Sequence, residues 1–147
     1  MKIGVMKIDG RCHCGHITYE AEVDPEKVGI CHCTDCQTLS GSAFRIGALA
    51  IDGTFRLLSG QPKVYVKTAE SGAKRAQGFC PECGTAIFAS DIGDGPKSYR
   101  IRVATARQRA QLPPKVQGWH RSAQPWLGDL ASIPTVEKQP VPWPAKR

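Results

Sequence analysis
Hydrophobic and polar positions alternate along much of the first two-thirds of the chain, the period-two signature of half-buried strands. The alternation is cleanest over residues 17–23, within His16-Ile17-Thr18-Tyr19-Glu20-Ala21-Glu22-Val23. Further β-favouring runs follow at 43–51, 54–58, 63–67, 85–89 and 99–103. Turn-forming breaks separate most of them: Asp52-Gly53, Ser59-Gly60-Gln61-Pro62, Ser71-Gly72 and residues 91–96. Short strands punctuated in this way predict an all-β domain, a sandwich or a barrel-like set of sheets. Two segments lack the alternation and predict helical turns, residues 35–40 and 108–112, the second stopped by Pro113-Pro114. Beyond Ile133 come Pro134, Pro140, Pro142 and Pro144, which predict an extended arm, either pinned by Trp143 or disordered over its last few residues. The expected organisation is one domain over 1–130 and a Pro-rich arm over 131–147.

Composition adds bounds to this picture. With 147 residues, 41% hydrophobic and 22% charged, the chain suits one soluble domain around a modest core. No apolar run approaches the roughly 18–20 residues that span a bilayer. Met1-Lys2-Ile3-Gly4-Val5-Met6-Lys7 lacks the apolar stretch of a signal peptide, so a reducing, cytoplasmic setting with no membrane partner is expected. The net charge of +7 favours acidic partners. The basic residues are dispersed, however, with Arg100, Arg102, Arg107 and Arg109 the densest group and Lys146-Arg147 at the tail. They read first as a solvated strand face and second as an anion-attracting rim beside a metal. No long basic run or basic–aromatic motif is present, so nucleic acid is not the expected partner.

Cysteine spacing carries the chemistry. The seven cysteines fall into three clusters: Cys12-x-Cys14-Gly15, Cys31-His32-Cys33-x-x-Cys36 and Cys80-x-x-Cys83-Gly84. Thiols one or two residues apart bridge poorly to each other and converge readily on a metal, and an odd count would strand one thiol in any all-disulfide scheme. The two flanking pairs share one grammar, two sulfurs followed by a glycine that permits the positive φ of a tight turn. Together they supply the four thiolates of a closed zinc site that would staple the fold. The central cluster supplies three, Cys31, Cys33 and Cys36, a set that leaves one position open. Two zinc ions per chain are therefore expected.

A zinc held by three thiolates is a weak Lewis acid, better suited to activating another thiolate than to generating hydroxide. The chemistry inferred is thiol handling, with an aldehyde as a plausible electrophile. His32, flanked by two ligands, is expected to point away from the ion. His13 reads as an exposed loop residue, and His16 as the start of a strand. Asp35 is the nearest carboxylate for proton transfer.

The residues quoted above, extended to Gly10-Arg11 before the first cluster, Ser40-Gly41-Ser42 and Phe44 after the second, and Phe79 and Thr85 around the third, resemble the glutathione-dependent formaldehyde-activating enzyme family, also called the centromere protein V/GFA domain. The segment from Trp119 to Trp126 resembles that family's C-terminal block. The resemblance implies an all-β fold of the Mss4-like, or β-tent, type. It implies a structural zinc on Cys12, Cys14, Cys80 and Cys83 and a catalytic zinc on Cys31, Cys33 and Cys36. The implied activity joins formaldehyde to glutathione, giving S-hydroxymethylglutathione, formally a carbon–sulfur lyase in reverse. The loop after Cys36 is then expected to shape the pocket, with Gln37 and Ser40 as polar contacts and Phe44 as an apolar wall; the alternative is Phe44 in the core and Ser40-Gly41 as a turn. Trp119 and Trp126 read as packing residues. The alternative is a non-catalytic zinc module that binds chromatin, nucleic acid or protein, against which the open three-thiolate site weighs.

Overall fold
The long strand that ends at Cys31 organises the molecule. The computed structural model describes residues 4–139. Its elements are β1 (Met6–Arg11), β2 (Thr18–Cys31), α1 (Thr34–Ser40), β3 (Arg45–Ala50), β4 (Arg56–Ser59), β5 (Lys63–Thr68), β6 (Lys74–Phe79), β7 (Ala86–Ser90), β8 (Tyr99–Arg102) and β9 (Val116–Gly118). Tight 3-10 turns follow β8, at Val103–Thr105, Arg109–Gln111, His120–Ser122 and Pro125–Ser132.

The all-β expectation holds, with the strands joined into one nine-stranded sheet. Its main path runs β1-β2-β3-β8-β7-β6-β5, with β4 and β9 each paired to β2 off that path. A shift in register between Val23 and Val28 interrupts the pairing of β2 with β3. The segment Asp24-Pro25 sits there, because proline cannot donate to a ladder and is tolerated at an irregularity. Before the irregularity β2 pairs β1 and β4 and meets β3 at Val23–Ala50; beyond it β2 pairs β3 and, in parallel, β9.

Alternation then fixes the core. Ile17, Tyr19, Ala21 and Val23 are buried and meet Ile8, Ala48, Ala50, Ile87, Phe88 and Ile101. Phe55 stacks on Tyr99 at 4.5 Å between centroids, and Phe88 meets Tyr99 edge-on at 5.0 Å. A Cβ on Gly78 would fall 2.3 Å from the Phe88 ring, so β6 carries glycine where β7 presses that ring against it.

Six strands occupy the runs read from the sequence; β1, β6 and β9 were not anticipated there, and β2 continues eight residues beyond Val23 to Cys31. Both expected helical turns form. Trp119 and Trp126 do not pack as expected: each is 45% exposed. The expectations for Pro140, Pro142, Trp143, Pro144, Lys146 and Arg147 lie outside the described residues. No helix among the described residues is long and apolar enough to cross a membrane.

Candidate metal centres and the adjoining cleft
The two flanking knuckles are built alike. Gly15 N donates to the Cys12 carbonyl at 3.2 Å, and Gly84 N donates to the Cys80 carbonyl at 2.9 Å. Gly15 and Gly84 take φ of +83° and +81°, a region costly for any residue with a Cβ. Turned this way, backbone amides aim at sulfur: Ile17 N lies 3.2 Å from Cys12 Sγ and Glu82 N 3.3 Å from Cys80 Sγ. The sulfurs of Cys12, Cys14, Cys80 and Cys83 all lie within 4.8 Å of one another. Two of the separations, Cys12–Cys14 and Cys14–Cys80, are 3.7 and 3.8 Å. A zinc–sulfur bond of about 2.3 Å gives a tetrahedron whose sulfurs stand about 3.8 Å apart, so this set fits a zinc ion. Thr85 joins the site, its hydroxyl 3.1 Å from Cys83 Sγ, and draws that thiol down to about 5.

The second group, Cys31, Cys33 and Cys36, likewise holds its sulfurs within 4.8 Å. Cys31 closes β2, Cys33 caps α1 by accepting from Cys36 N at 3.2 Å, and Cys36 is buried in the first turn. Cys36 hydrogen-bonds Cys31 and holds it down to about 7, while the same contact and burial push Cys36 upward. Three sulfurs sharing protons at this range are a donor set made for a cation. These three sulfurs and the four of the flanking pairs are the groups of convergent metal-ligating side chains among the described residues.

The histidines stand apart from both groups. His32 is 1% exposed and turns its Nε2 to Gln117 Oε1 at 2.7 Å, away from the sulfurs beside it. His13 is exposed in the first knuckle, as read from the sequence, and His16 lies two residues before β2.

Cys31, Cys33 and Cys36 border a cleft of about 470 Å³. Val116, Gly118 and Trp119 flank it on one side, Ala69 and Ala73 on another. Gln37, Ser40 and Phe44 do not line it. Gln37 is spent as a brace, donating to the carbonyls of His32 at 2.7 Å and Ser122 at 3.0 Å and accepting from Gln124 Nε2 at 2.8 Å. Ser40 and Phe44 border a neighbouring depression with Arg11, His13 and Thr85. Asp35 faces outward and pairs with Lys67 at 3.0 Å. Arg45, Gln77, Arg100 and Arg102 do line the cleft, and of these the basic clustering in the sequence marks only Arg100 and Arg102. The available signal for Arg102 was its i, i+2 spacing from Arg100 on one strand face. Arg107, by contrast, does not line the cleft and pairs with Asp9 at 2.9 Å.

The sheet and the two sulfur clusters define a small β protein with two potential metal–thiolate centres. The family model for the glutathione-dependent formaldehyde-activating enzyme matches residues 7–122, and the chain belongs to that family. A crystal structure of a Rhodobacter sphaeroides protein shares the fold, with a TM-score of 0.56 and 21% identity, covering 74% of this chain and 98% of that one. No curated protein matches the chain.

Proposed function
We propose that the protein is a zinc-dependent enzyme of the carbon–sulfur lyase type, acting on thiol–aldehyde adducts of the S-hydroxymethylglutathione kind. The observation that carries this reading is the convergence of Cys31, Cys33 and Cys36 at the edge of a cleft. Those three would hold the reactive zinc, and Cys12, Cys14, Cys80 and Cys83 a structural one. Bound by three thiolates, zinc supplies an open position at which a substrate thiol is stabilised as its thiolate.

The chain's own residues do the rest. Trp119, Val116, Ala69 and Ala73 give the cleft apolar walls that thin the water around a nucleophile. The cationic residues that line it favour an anionic sulfur over a neutral one. A carbon–sulfur bond forms between thiolate and carbonyl carbon, and the carbinol oxygen takes up a proton equal to the one the thiol lost. None of the residues lining the cleft is a carboxylate, so solvent serves as the proton carrier. The direct test measures hemithioacetal formation from glutathione and formaldehyde above the uncatalysed rate. Cys33→Ser is expected to lower it by about tenfold or more; equal rates would remove this centre from the reaction.

A further inference from the structure
The cleft beside the three cysteines carries more positive charge than the described residues neutralise. Lys67, Arg75, Arg45, Arg100 and Arg102 all line it, with no Asp or Glu. Lys67 and Arg75 are matched by Asp35 and Asp91 at 3.0 and 2.9 Å. Arg45, Arg100 and Arg102 have no ion-pair partner among the described residues.

Two of these guanidiniums are held unusually. Arg102 is 6% exposed. It donates from Nη2 to Gln77 Oε1 at 3.1 Å, and Arg45 Nη1 donates to the same oxygen at 3.3 Å. One neutral carbonyl thus serves two cations. The buried Nε–H groups of both arginines have no hydrogen-bond partner among the described residues. A buried donor without an acceptor costs free energy that an arriving acceptor recovers.

The sheet is shaped to leave room for one. Cys31 faces Arg45 across β2 and β3, and Gly47 faces Arg102 across β3 and β8. A Cβ on Gly47 would lie 2.6 Å from Arg100 Cγ, so glycine there lets the arginine stems cross the sheet. Arg45 and Arg102 also border the depression near Ser40, but Gln77, Arg100 and the three cysteines border the cleft and not that depression. The two arginines and the three cysteines therefore line one cleft.

We propose that Arg45 and Arg102, spaced by Gln77, form a carboxylate subsite of the cleft, so that the thiol accepted beside Cys31, Cys33 and Cys36 is one that bears a carboxylate. The inference rests on the thiol-handling reading for its sulfur half; the anion half stands on the arginines alone. A planar two-oxygen acceptor matches guanidinium edges, and a monoanion loses less hydration on entering an apolar-walled cleft than a phosphate dianion does.

The test uses the full chain as purified with its metal and follows the arginine Nε–H resonances by NMR. Propionate, which has no sulfur, is expected to shift the Arg45 and Arg102 signals saturably, whereas neutral propionamide leaves them in place. Arg45→Gln should weaken propionate by about tenfold or more. Arg102→Met should do the same; being the more buried site it is the harsher variant, and Arg45→Gln keeps the test readable if that variant does not fold. Equal response to propionate and propionamide, or propionate binding unchanged in Arg45→Gln, would overturn the subsite. Tighter binding of inorganic phosphate than of propionate at these signals would overturn the carboxylate assignment. A second arm compares 3-mercaptopropionate with its methyl ester, where a preference of about tenfold to a hundredfold for the acid is expected, and its loss in Arg45→Gln. Propionate binding without any catalysed adduct formation would sink the enzymatic reading and leave the subsite standing; catalysis with no preference for the acid would do the reverse.

Discussion

Gln37 shows how one side chain can be adjacent to a centre and yet belong to its frame. Its amide group meets three partners, two carbonyls and the Gln124 amide, and so ties α1 to the turn that carries Ser122. Replacing it with leucine, similar in size, leaves the His32 and Ser122 carbonyls short of a donor. Each half-buried group left unpaired costs about 1–3 kcal/mol, so Gln37→Leu should lower stability by about 2 kcal/mol in denaturant unfolding. A contact made only with substrate would instead leave the unfolding midpoint unchanged and raise KM. The ligands were legible where Gln37 was not, because cysteines clustered one to three residues apart leave a mark in the sequence itself, as Cys31, Cys33 and Cys36 do. Arg45 and Gln77 carry no such mark. They meet only because their strands lie in the same sheet, 32 residues apart in sequence.

At the scale of elements, runs rich in β-favouring residues marked six strands and left β1, β6 and β9 unmarked. The β6 sequence Lys74-Arg75-Ala76-Gln77-Gly78-Phe79 has no β-branched residue, yet Ala76, Gln77 and Gly78 are all buried. Its place is set by Phe88 and by pairing to β5 and β7, which the sequence alone does not display. In β1, Asp9-Gly10 resembles a turn, but Gly10 is there because its Cβ would strike the Tyr19 ring at 2.4 Å. Asp9 also anchors β1 to the segment after β8, accepting from Arg107 Nη2 at 2.9 Å and Gln108 Nε2 at 2.8 Å. The hydrogen bond from Arg107, then that from Gln108, holds the Asp9 carboxyl below its ordinary value of 3.8. A carboxyl depressed in the folded state stabilises above its unfolded pKa, and that contribution fades as pH falls through the folded one. Asp9→Asn should therefore be less stable than the parent near pH 6, with the gap closing below pH 4. Because the aspartate is half exposed the gap is modest. Acid protonates the cysteines of both proteins alike, so the difference between them in parallel denaturant titrations isolates Asp9; a gap that is constant with pH would contradict the assignment.

Across the whole molecule, the two sulfur groups divide by what they join. Cys31, Cys33 and Cys36 lie within one continuous stretch from the end of β2 into α1, so releasing them opens no long loop. Cys12 and Cys14 sit between β1 and β2, whereas Cys80 and Cys83 sit between β6 and β7. Along the sheet order those pairs of strands are near opposite ends, with β3 and β8 between them. Cys12 and Cys80 are 1% and 0% exposed, so their sulfurs are also part of the core. A structural zinc contributes about 10–16 kcal/mol of apparent binding energy in small zinc peptides, comparable to the about 5–15 kcal/mol by which a whole domain is stable. Losing one of four ligands forfeits a large share of that, and a serine at position 80 adds a buried hydroxyl without a matched partner. Cys80→Ser is thus expected to leave the chain largely unfolded at 25 °C by far-UV circular dichroism, with neither metal retained. Cys36→Ser should keep the sheet signal and lose one metal of two by atomic emission analysis. A folded Cys80→Ser protein with one zinc, or an unfolded Cys36→Ser protein, would reverse this division and make the centre beside the cleft the one on which folding depends.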